Sequence, residues 1–275
     1  MQAEHEQPLV SIVIPAYNAE NTLRRMMDCV LHQTWKNLQV ILVDDGSTDG
    51  TLALARGMAE QDGRLTVVSG GNKGVSATRN TGLSLCKGKY IRFADADDTM
   101  PADSVEKMVQ RAEEGTSDLV IGGYDEYFGD KRRFRNLAGR DDTVPCDEIM
   151  DHLCLHANSY FYGVLWNKLF VREKAEAAGC RFQESLTWGE DFAYVMDYLG
   201  CVDRIAFMKD SLYDYRRSAG STSFRQVLDC VKRPMYNIRI KLDLYGHLKG
   251  MYKKRGIYPQ YRSRLWHYLF RVGLG

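Results

Sequence analysis

From residue 9 the chain alternates short β-branched apolar runs with helix-period patterns. LVSIVI (9–14) precedes a helical stretch over about 19–32, LQVILV (38–43) precedes one over about 50–60, LTVVS (65–69) precedes one over about 75–85, and KYIRFA (89–94) closes the series. A strand with one wet face would alternate apolar and polar residues. These runs do not, so they predict parallel strands buried on both faces by the intervening helices: an α/β fold with a central, mostly parallel sheet. The 275 residues, 44% of them apolar, suffice for one large domain or two modest ones.

Polar residues follow every one of these strands: Pro15-Ala16-Tyr17-Asn18, Asp44-Asp45-Gly46-Ser47, Gly70-Gly71-Asn72-Lys73-Gly74 and Asp95-Ala96-Asp97-Asp98. Any one of them reads as a turn or a helix cap. Four in succession predict the lip of a site, because open α/β sheets bind ligands beyond the carboxyl ends of their strands. The last cluster is the most demanding. Two carboxylates 4 Å apart near a surface repel by roughly 4 kcal/mol, so this group calls for a cation or a proton. A strand carries side chains to alternate faces, so Asp95 and Asp97, two apart in an extended stretch, point the same way and Ala96 turns back into the fold. Such a pair suits Mg²⁺ or Mn²⁺, ions held by one or two carboxylates and completed by water and substrate phosphates. Asp98 and Thr99 read as caps of the next helix, with Pro101 near its first turn.

The second half is less regular. A helix over about 103–114 leads into a buried run, DLVIGGYDEYF, and then a basic patch, Lys131 to Arg135, which reads as a solvated turn. Helical patterns follow over about 147–157, 172–178, 191–199, 224–255 and 258–272, suggesting a lid and a helical appendage. Charge is unevenly spread: residues 1–224 carry 25 Lys and Arg against 34 acids, whereas 225–275 carry 12 against 2. A basic, aromatic-rich tail predicts contact with phosphate head groups, with a polyanion or with the acidic body itself. Seven cysteines without a CxxC or a zinc-type His spacing point to reduced thiols in a cytoplasmic setting, not to a disulfide framework or a structural metal. The start, MQAEHEQPLV, lacks the pattern of a signal peptide, and no apolar run nears the ~18 residues of a membrane span, so a soluble or peripheral protein is expected. The stop at LFRVGLG, directly after an amphipathic stretch, leaves room for a further segment.

Four segments, VSIVIPAYNAENTLRRMMDCVLHQTW, VILVDDGSTDGT, GNKGVSATRNTGL and YIRFADADD, closely resemble, in this order and spacing, the nucleotide-sugar-binding half of family 2 glycosyltransferases. The likeness continues through LWNKLF (165–170), WGED (188–191) and YDYRRSAGSTS (213–223), and fades beyond about 224. It implies an inverting transferase with the Rossmann-like A-type glycosyltransferase fold. A divalent metal, Mn²⁺ or Mg²⁺, would bridge it to the diphosphate of a nucleotide-sugar donor. The implied organisation is a catalytic domain over 1–224, with about 9–100 binding donor and about 101–224 forming the acceptor and lid half, followed by a basic amphipathic helical extension over 225–275.

Carried over residue by residue, the resemblance sets Pro15, Ala16 and Tyr17 against the nucleoside and Asp44 on its base, where a carboxylate accepts a ring N–H. Lys73, on its glycine-flanked loop with Gly74, and Arg79 face the diphosphate or the nucleoside. Asp97 and Asp95 hold the metal with Ala96 between them. Asp191, beside Glu190 at a helix start whose dipole favours an ionised side chain, is the base that takes the acceptor proton. An Asp with a reference pKa of about 3.9 is deprotonated at neutral pH. Trp188 stacks on a sugar face; Arg216 or Arg217, with SAGSTS, closes over the diphosphate, and Lys168 joins the site. Each has a plainer reading: Tyr17 and Trp188 as core, Lys73 and Arg79 as solvated helix charges, Glu190 and Asp191 as helix-end acids.

The donor expected on family grounds is a UDP-sugar. The acceptor is a hydroxyl of a glycan or lipid-linked saccharide in surface polysaccharide biosynthesis, and the transfer is of hexosyl or N-acetylhexosaminyl type. The basic segment 225–275 favours a membrane-borne acceptor at the inner face of the plasma membrane; a homodimer surface is the alternative and nucleic acid the least favoured partner. A haloacid-dehalogenase-like phosphatase is the rival enzyme, since Asp95-x-Asp97-x-Thr99 fits its nucleophile motif, although here the motif follows three βα units. A nucleotidyltransferase lacks its Gly-rich, Arg-containing first loop, and PAYNAE is not the GxGxxG of a dinucleotide oxidoreductase. A non-catalytic nucleotide-sugar-binding protein is the remaining alternative.

Overall fold

The computed structural model describes residues 7–157, 159–217 and 234–271. Its first half runs β1 (Val10–Ala16), α1 (Leu23–Leu31), β2 (Leu38–Asp44), α2 (Thr51–Ala59), β3 (Leu65–Ser69), α3 (Val75–Leu85), β4 (Tyr90–Phe93) and α4 (Ser104–Gly115). Then come β5 (Leu119–Phe128), β6 (Lys131–Arg135), β7 (Thr143–Pro145), a 3₁₀ turn leading into α5 (Met150–Leu155), and α6 (Tyr160–Gly163). The chain continues with β8 (Lys168–Val171), α7 (Arg172–Ala177), α8 (Glu190–Leu199), β9 (Arg204–Arg217), α9 (Pro234–Lys254) and α10 (Tyr258–Arg271).

One sheet has the order β3-β2-β1-β4-β8-β5-β9-β7, with β6 on the outer half of β5. Strands β1 to β4 are mutually parallel, as their unbroken apolar runs require; Val10, Ile12, Val13 and Ile14 of β1 are all buried. Strand β8 lies antiparallel to both β4 and β5, and β9 runs parallel to β5. The carboxyl ends of β1, β2, β3, β4, β5 and β9 therefore share one edge. This mixed sheet with helices on its faces is the α/β architecture expected.

Three features differ from the sequence expectation. The basic patch Lys131 to Arg135 is not a solvated turn but strand β6, paired antiparallel with β5, with Arg132 bonded to Asp125 and Arg135 to Glu126 at 2.7 and 2.6 Å. Strands β8 and β9 carry no clear pattern in the sequence. Four residues are too few to show a period, and β9 pairs with β5 through two register shifts, bulges that break its alternation. Asp98 and Thr99 do not cap α4. Asp98 accepts the Arg216 N–H at 2.7 Å, and Thr99 donates its hydroxyl to Asp214 at 3.1 Å, so the turn after β4 is tied to β9 instead.

Helices α9 and α10 belong to the same core. Ile240, Leu244, Leu248, Met251, Tyr252 and Leu265 are buried, Tyr252 donates to the Met150 carbonyl at 2.7 Å, and Arg255 pairs with Asp147 at 2.7 Å. Leu244 sits directly over Gly189, where an added Cβ would come within 2.6 Å of it. Gly189 also has φ of 75°, so this position needs glycine twice over. The basic segment thus braces the turn that starts α8.

Candidate active site

The turns after β1 and β2 are laced together. The Asn18 N–H reaches Ser47 Oγ at 2.9 Å, and Asn18 Oδ1 accepts the Thr48 N–H at 2.8 Å. Ala16 is buried at the end of β1, while Tyr17 stands half exposed on the lip, open to a stacking partner and not part of the core. Asp44, at the end of β2, is buried, and its carboxylate accepts the Ser69 hydroxyl at 3.1 Å and the Ser47 N–H at 3.3 Å. Asp45 serves as a clamp for the next loop, accepting the N–H groups of Lys73 at 2.8 Å and Gly74 at 2.9 Å. That loop approaches so closely that a Cβ on Gly46 (φ 73°) would lie 2.9 Å from the Asn72 nitrogen. The Lys73 side chain is left exposed at the rim.

Strand β4 ends at Phe93, so residues 95–98 form a turn closed by the Asp98 N–H on the Asp95 carbonyl at 3.2 Å, not an extended continuation. The two acids stay neighbours for that different reason, and Ala96 is buried as expected. Asp97 is exposed at the rim, with its carbonyl held by Arg25 at 2.7 Å. Desolvation by the surrounding protein, and then the neighbouring Asp95 carboxylate, push its carboxyl up to about 6. Behind it, burial and the charges of Asp97 and Asp95 raise the Asp98 carboxyl well above the ordinary range. Tyr213 of β9 braces the turn by accepting the Asp95 N–H at 2.9 Å.

Arg79 is the hub. Its buried guanidinium donates to Asp191 Oδ1 at 2.6 Å, to Glu190 Oε1 at 3.0 Å and to Asp95 Oδ1 at 3.1 Å, and lies 5.5 Å over the Phe182 ring. Expected against the diphosphate or on a solvated helix face, it instead joins the acid turn after β4 to the first turn of α8. Its pKa is raised: the three carboxylates outweigh its desolvation. Asp191 shows the reverse balance. Burial pushes its carboxyl up to about 8; Arg79 pulls it down, and Glu190 and Asp95 add to the rise. The reference value near 3.9 therefore does not apply to this buried acid.

The remaining candidates are scattered in role. Lys168 is fully buried, with Nζ bonded to the carbonyls of Phe161 (2.9 Å) and Val164 (2.6 Å) and to Asn167 Oδ1 (2.8 Å), and desolvation holds it well below the ordinary lysine value. It organises the segment before β8. Trp188 donates to Asn237 of α9 at 3.1 Å and is partly buried. Arg216 stacks over Tyr127 at 4.8 Å, with Nε 3.3 Å from Thr99 Oγ1, whereas Arg217 pairs with Glu126 at 2.7 Å. The SAGSTS segment expected to close over the donor lies outside the described residues. Sequence reasoning missed Tyr213, Phe182 and Ser69; only Tyr213 lay in a motif already singled out.

No group of three or more His, Cys, Asp or Glu converges as a closed metal cage among the described residues. The residues nonetheless fit a divalent ion that takes two carboxylates and completes its shell from a ligand. Asp97 stands at the rim with its carboxyl raised by desolvation and by Asp95, and among the described residues the Asp95 carboxylate is committed to Arg79 through Oδ1.

A sheet of this order, with a buried Asp and an acid pair beyond its parallel strands and a second pair of acids joined to them through one arginine, belongs to the A-type glycosyltransferase class. The chain is a member of glycosyl transferase family 2, whose sequence profile matches residues 11–169. The "Uncharacterized glycosyltransferase EpsJ" of Bacillus subtilis is 30% identical over 246 residues, covering 87% of this chain and 70% of that protein. Two solved structures share the fold. Staphylococcus aureus TarS 1-349 in complex with UDP-GlcNAc has a TM-score of 0.75 at 18% identity, covering 94% of this chain and 72% of that one. The mannosyltransferase PcManGT from Pyrobaculum calidifontis, in complex with GDP-Man and Mn²⁺, has a TM-score of 0.59 at 19% identity, covering 96% and 69%. The chain is thus a glycosyltransferase, and the phosphatase alternative finds no support: Asp95 follows the fourth strand of a family 2 sheet.

Proposed function

We propose that this enzyme transfers a sugar, with inversion and with the help of Mn²⁺ or Mg²⁺, from a UDP-sugar to a hydroxyl of a glycan or lipid-linked acceptor in surface polysaccharide assembly. One observation carries the reading: Arg79 brings Asp95 of the donor half within a single guanidinium of Asp191, 112 residues further along the chain from the arginine. An acid turn able to hold a diphosphate-bound cation and a candidate base thus face a common space. The complexes of TarS with UDP-GlcNAc and of PcManGT with GDP-Man and Mn²⁺ support the donor class at the level of fold.

In this mechanism Asp44 accepts a ring N–H of the base, and the Pro15 turn with Tyr17 walls the nucleoside. Asp97 and Asp95 would hold the ion, which would supply Lewis-acid neutralisation of charge on the leaving diphosphate. Asp191 takes the acceptor proton as the anomeric carbon gains oxocarbenium character. Glu190 and Arg79 set its orientation and charge. Calorimetry of UDP with and without Mn²⁺ tests the donor site: Mn²⁺ should tighten UDP binding, and Asp97→Ala should remove most of that gain while leaving metal-free binding intact. UDP affinity indifferent to Mn²⁺ in the wild type would refute the metal's role.

A membrane-borne acceptor fits the outer face of α9 and α10. Met235, Ile238, Leu242 and Trp266 are exposed beside Arg239 and Arg262. No helix among the described residues is long and apolar enough to cross a membrane, so contact would be at the interface. The protein should float with vesicles containing anionic lipid and not with neutral ones, and Ile238→Glu with Leu242→Glu should abolish flotation. Equal recovery with both lipids would rule out this surface.

A further inference from the structure

A cavity of about 430 Å³ opens at the carboxyl ends of β5 and β9 against β6, within the size range of small-ligand sites. Arg133, Arg135, Arg217, Glu126, Tyr124 and Tyr215 line it. Strand pairing explains their convergence. Tyr124 opposes Arg135 and Glu126 opposes Arg133, so alternate residues of β5 and β6 share one face, and Tyr215 and Arg217 add the same face of β9.

The charges here do not cancel. Glu126 takes Arg135 on Oε2 at 2.6 Å and Arg217 on Oε1 at 2.7 Å, so one carboxylate answers three guanidinium groups. Arg133 is exposed, and among the described residues the ion pairs of β6 involve only Arg132 and Arg135. The aromatic wall is rigid, because Trp166 stacks on Tyr215 at 5.4 Å and meets Tyr124 edge-on at 4.6 Å. Aromatic rings offer a flat apolar surface to a sugar, and planar guanidinium forks match phosphate or carboxylate.

Location ties this cavity to the reaction. Tyr213, on the same face of β9, bonds the Asp95 N–H, and Arg217 lies roughly 13 Å further along the strand, a span that a short saccharide bridges. We infer that the cavity is an acceptor subsite selecting saccharides that bear a phosphate or carboxylate near the accepting sugar. This rests on the glycosyltransferase reading above and specifies its acceptor class.

The full chain, saturated with UDP and Mn²⁺, should be titrated by ligand-observed NMR with glucose 6-phosphate, glucuronate, glucose and inorganic phosphate. Glucose 6-phosphate or glucuronate, or both, should bind at least tenfold tighter than glucose, and which of them binds identifies the anion. Arg133→Ala, on an exposed edge strand, should cost that ligand roughly tenfold, the scale of one charge-assisted hydrogen bond, and leave UDP affinity unchanged. Glucose binding as well as both anionic sugars, unchanged affinity in Arg133→Ala, or inorganic phosphate matching glucose 6-phosphate would each overturn the subsite. Failure of UDP to bind the wild type is read in a separate titration and would strike the donor assignment instead.

Discussion

Asp191→Asn should lower kcat by roughly 10²- to 10⁴-fold, the contribution of a positioned general base, while leaving UDP affinity close to that of the wild type. The two chains are nearly isosteric, and the amide oxygen still accepts the Arg79 N–H now 2.6 Å from Asp191 Oδ1. The pH dependence makes the expectation sharper. Burial lifts the Asp191 carboxyl to about 8, so the free enzyme carries it mostly protonated at pH 6 and progressively ionised as pH rises. Only the ionised form accepts a proton. The wild-type kcat/KM should therefore climb with pH across the neutral range, and that acid limb should be missing from the residual activity of the Asn variant. A variant retaining wild-type turnover, or one keeping the same acid limb, would remove Asp191 from the role of base.

The donor half was legible because its determinants are local. Strands β1 to β4 are continuous apolar runs, each polar loop follows its strand within a few residues, and Asp44, Asp95 and Asp97 sit where those loops begin. The other half depends on convergence that no spacing encodes. Arg79, expected to face the diphosphate or the nucleoside, instead meets Glu190 and Asp191, which come from 111 and 112 residues away. A reference pKa does not fit Asp191 for the same reason: it knows nothing of the burial that raises this carboxyl, nor of Glu190 and Asp95 beside it. Lys131 to Arg135 looked like a turn because charged residues on an exposed edge strand carry no apolar signature, although lysine and arginine are a common means of blunting such an edge. Lys168 illustrates the opposite hazard. Inside the LWNKLF motif, it is expected to join the site, but its Nζ is committed to the backbone of its own loop.

Arg79→Met should be the most destabilising single change in the site, because it strips the one guanidinium shared by Asp95, Glu190 and Asp191 and leaves the carboxylates facing one another. Breaking a buried charge cluster by removing one partner costs about 3–5 kcal/mol, and at about 2–4 °C per kcal/mol for a chain of this size that is a fall in Tm of about 6–20 °C. The sign of the pH effect follows from the acids. Asp191 already has a folded pKa above its unfolded value near 3.8, so its ionisation costs stability as pH rises through that window. Without Arg79 to pull that pKa down, the folded value rises further. The penalty then grows with pH: thermal unfolding should show a smaller loss at pH 5, below the raised pKa of Asp191, and the full loss at pH 8. Glu190→Gln introduced alongside Arg79→Met should recover part of the stability at pH 8, since it removes one of the repelling charges. A loss independent of pH, or no recovery in the double variant, would mean that Arg79 acts through its packing on Phe182 and not through its charge.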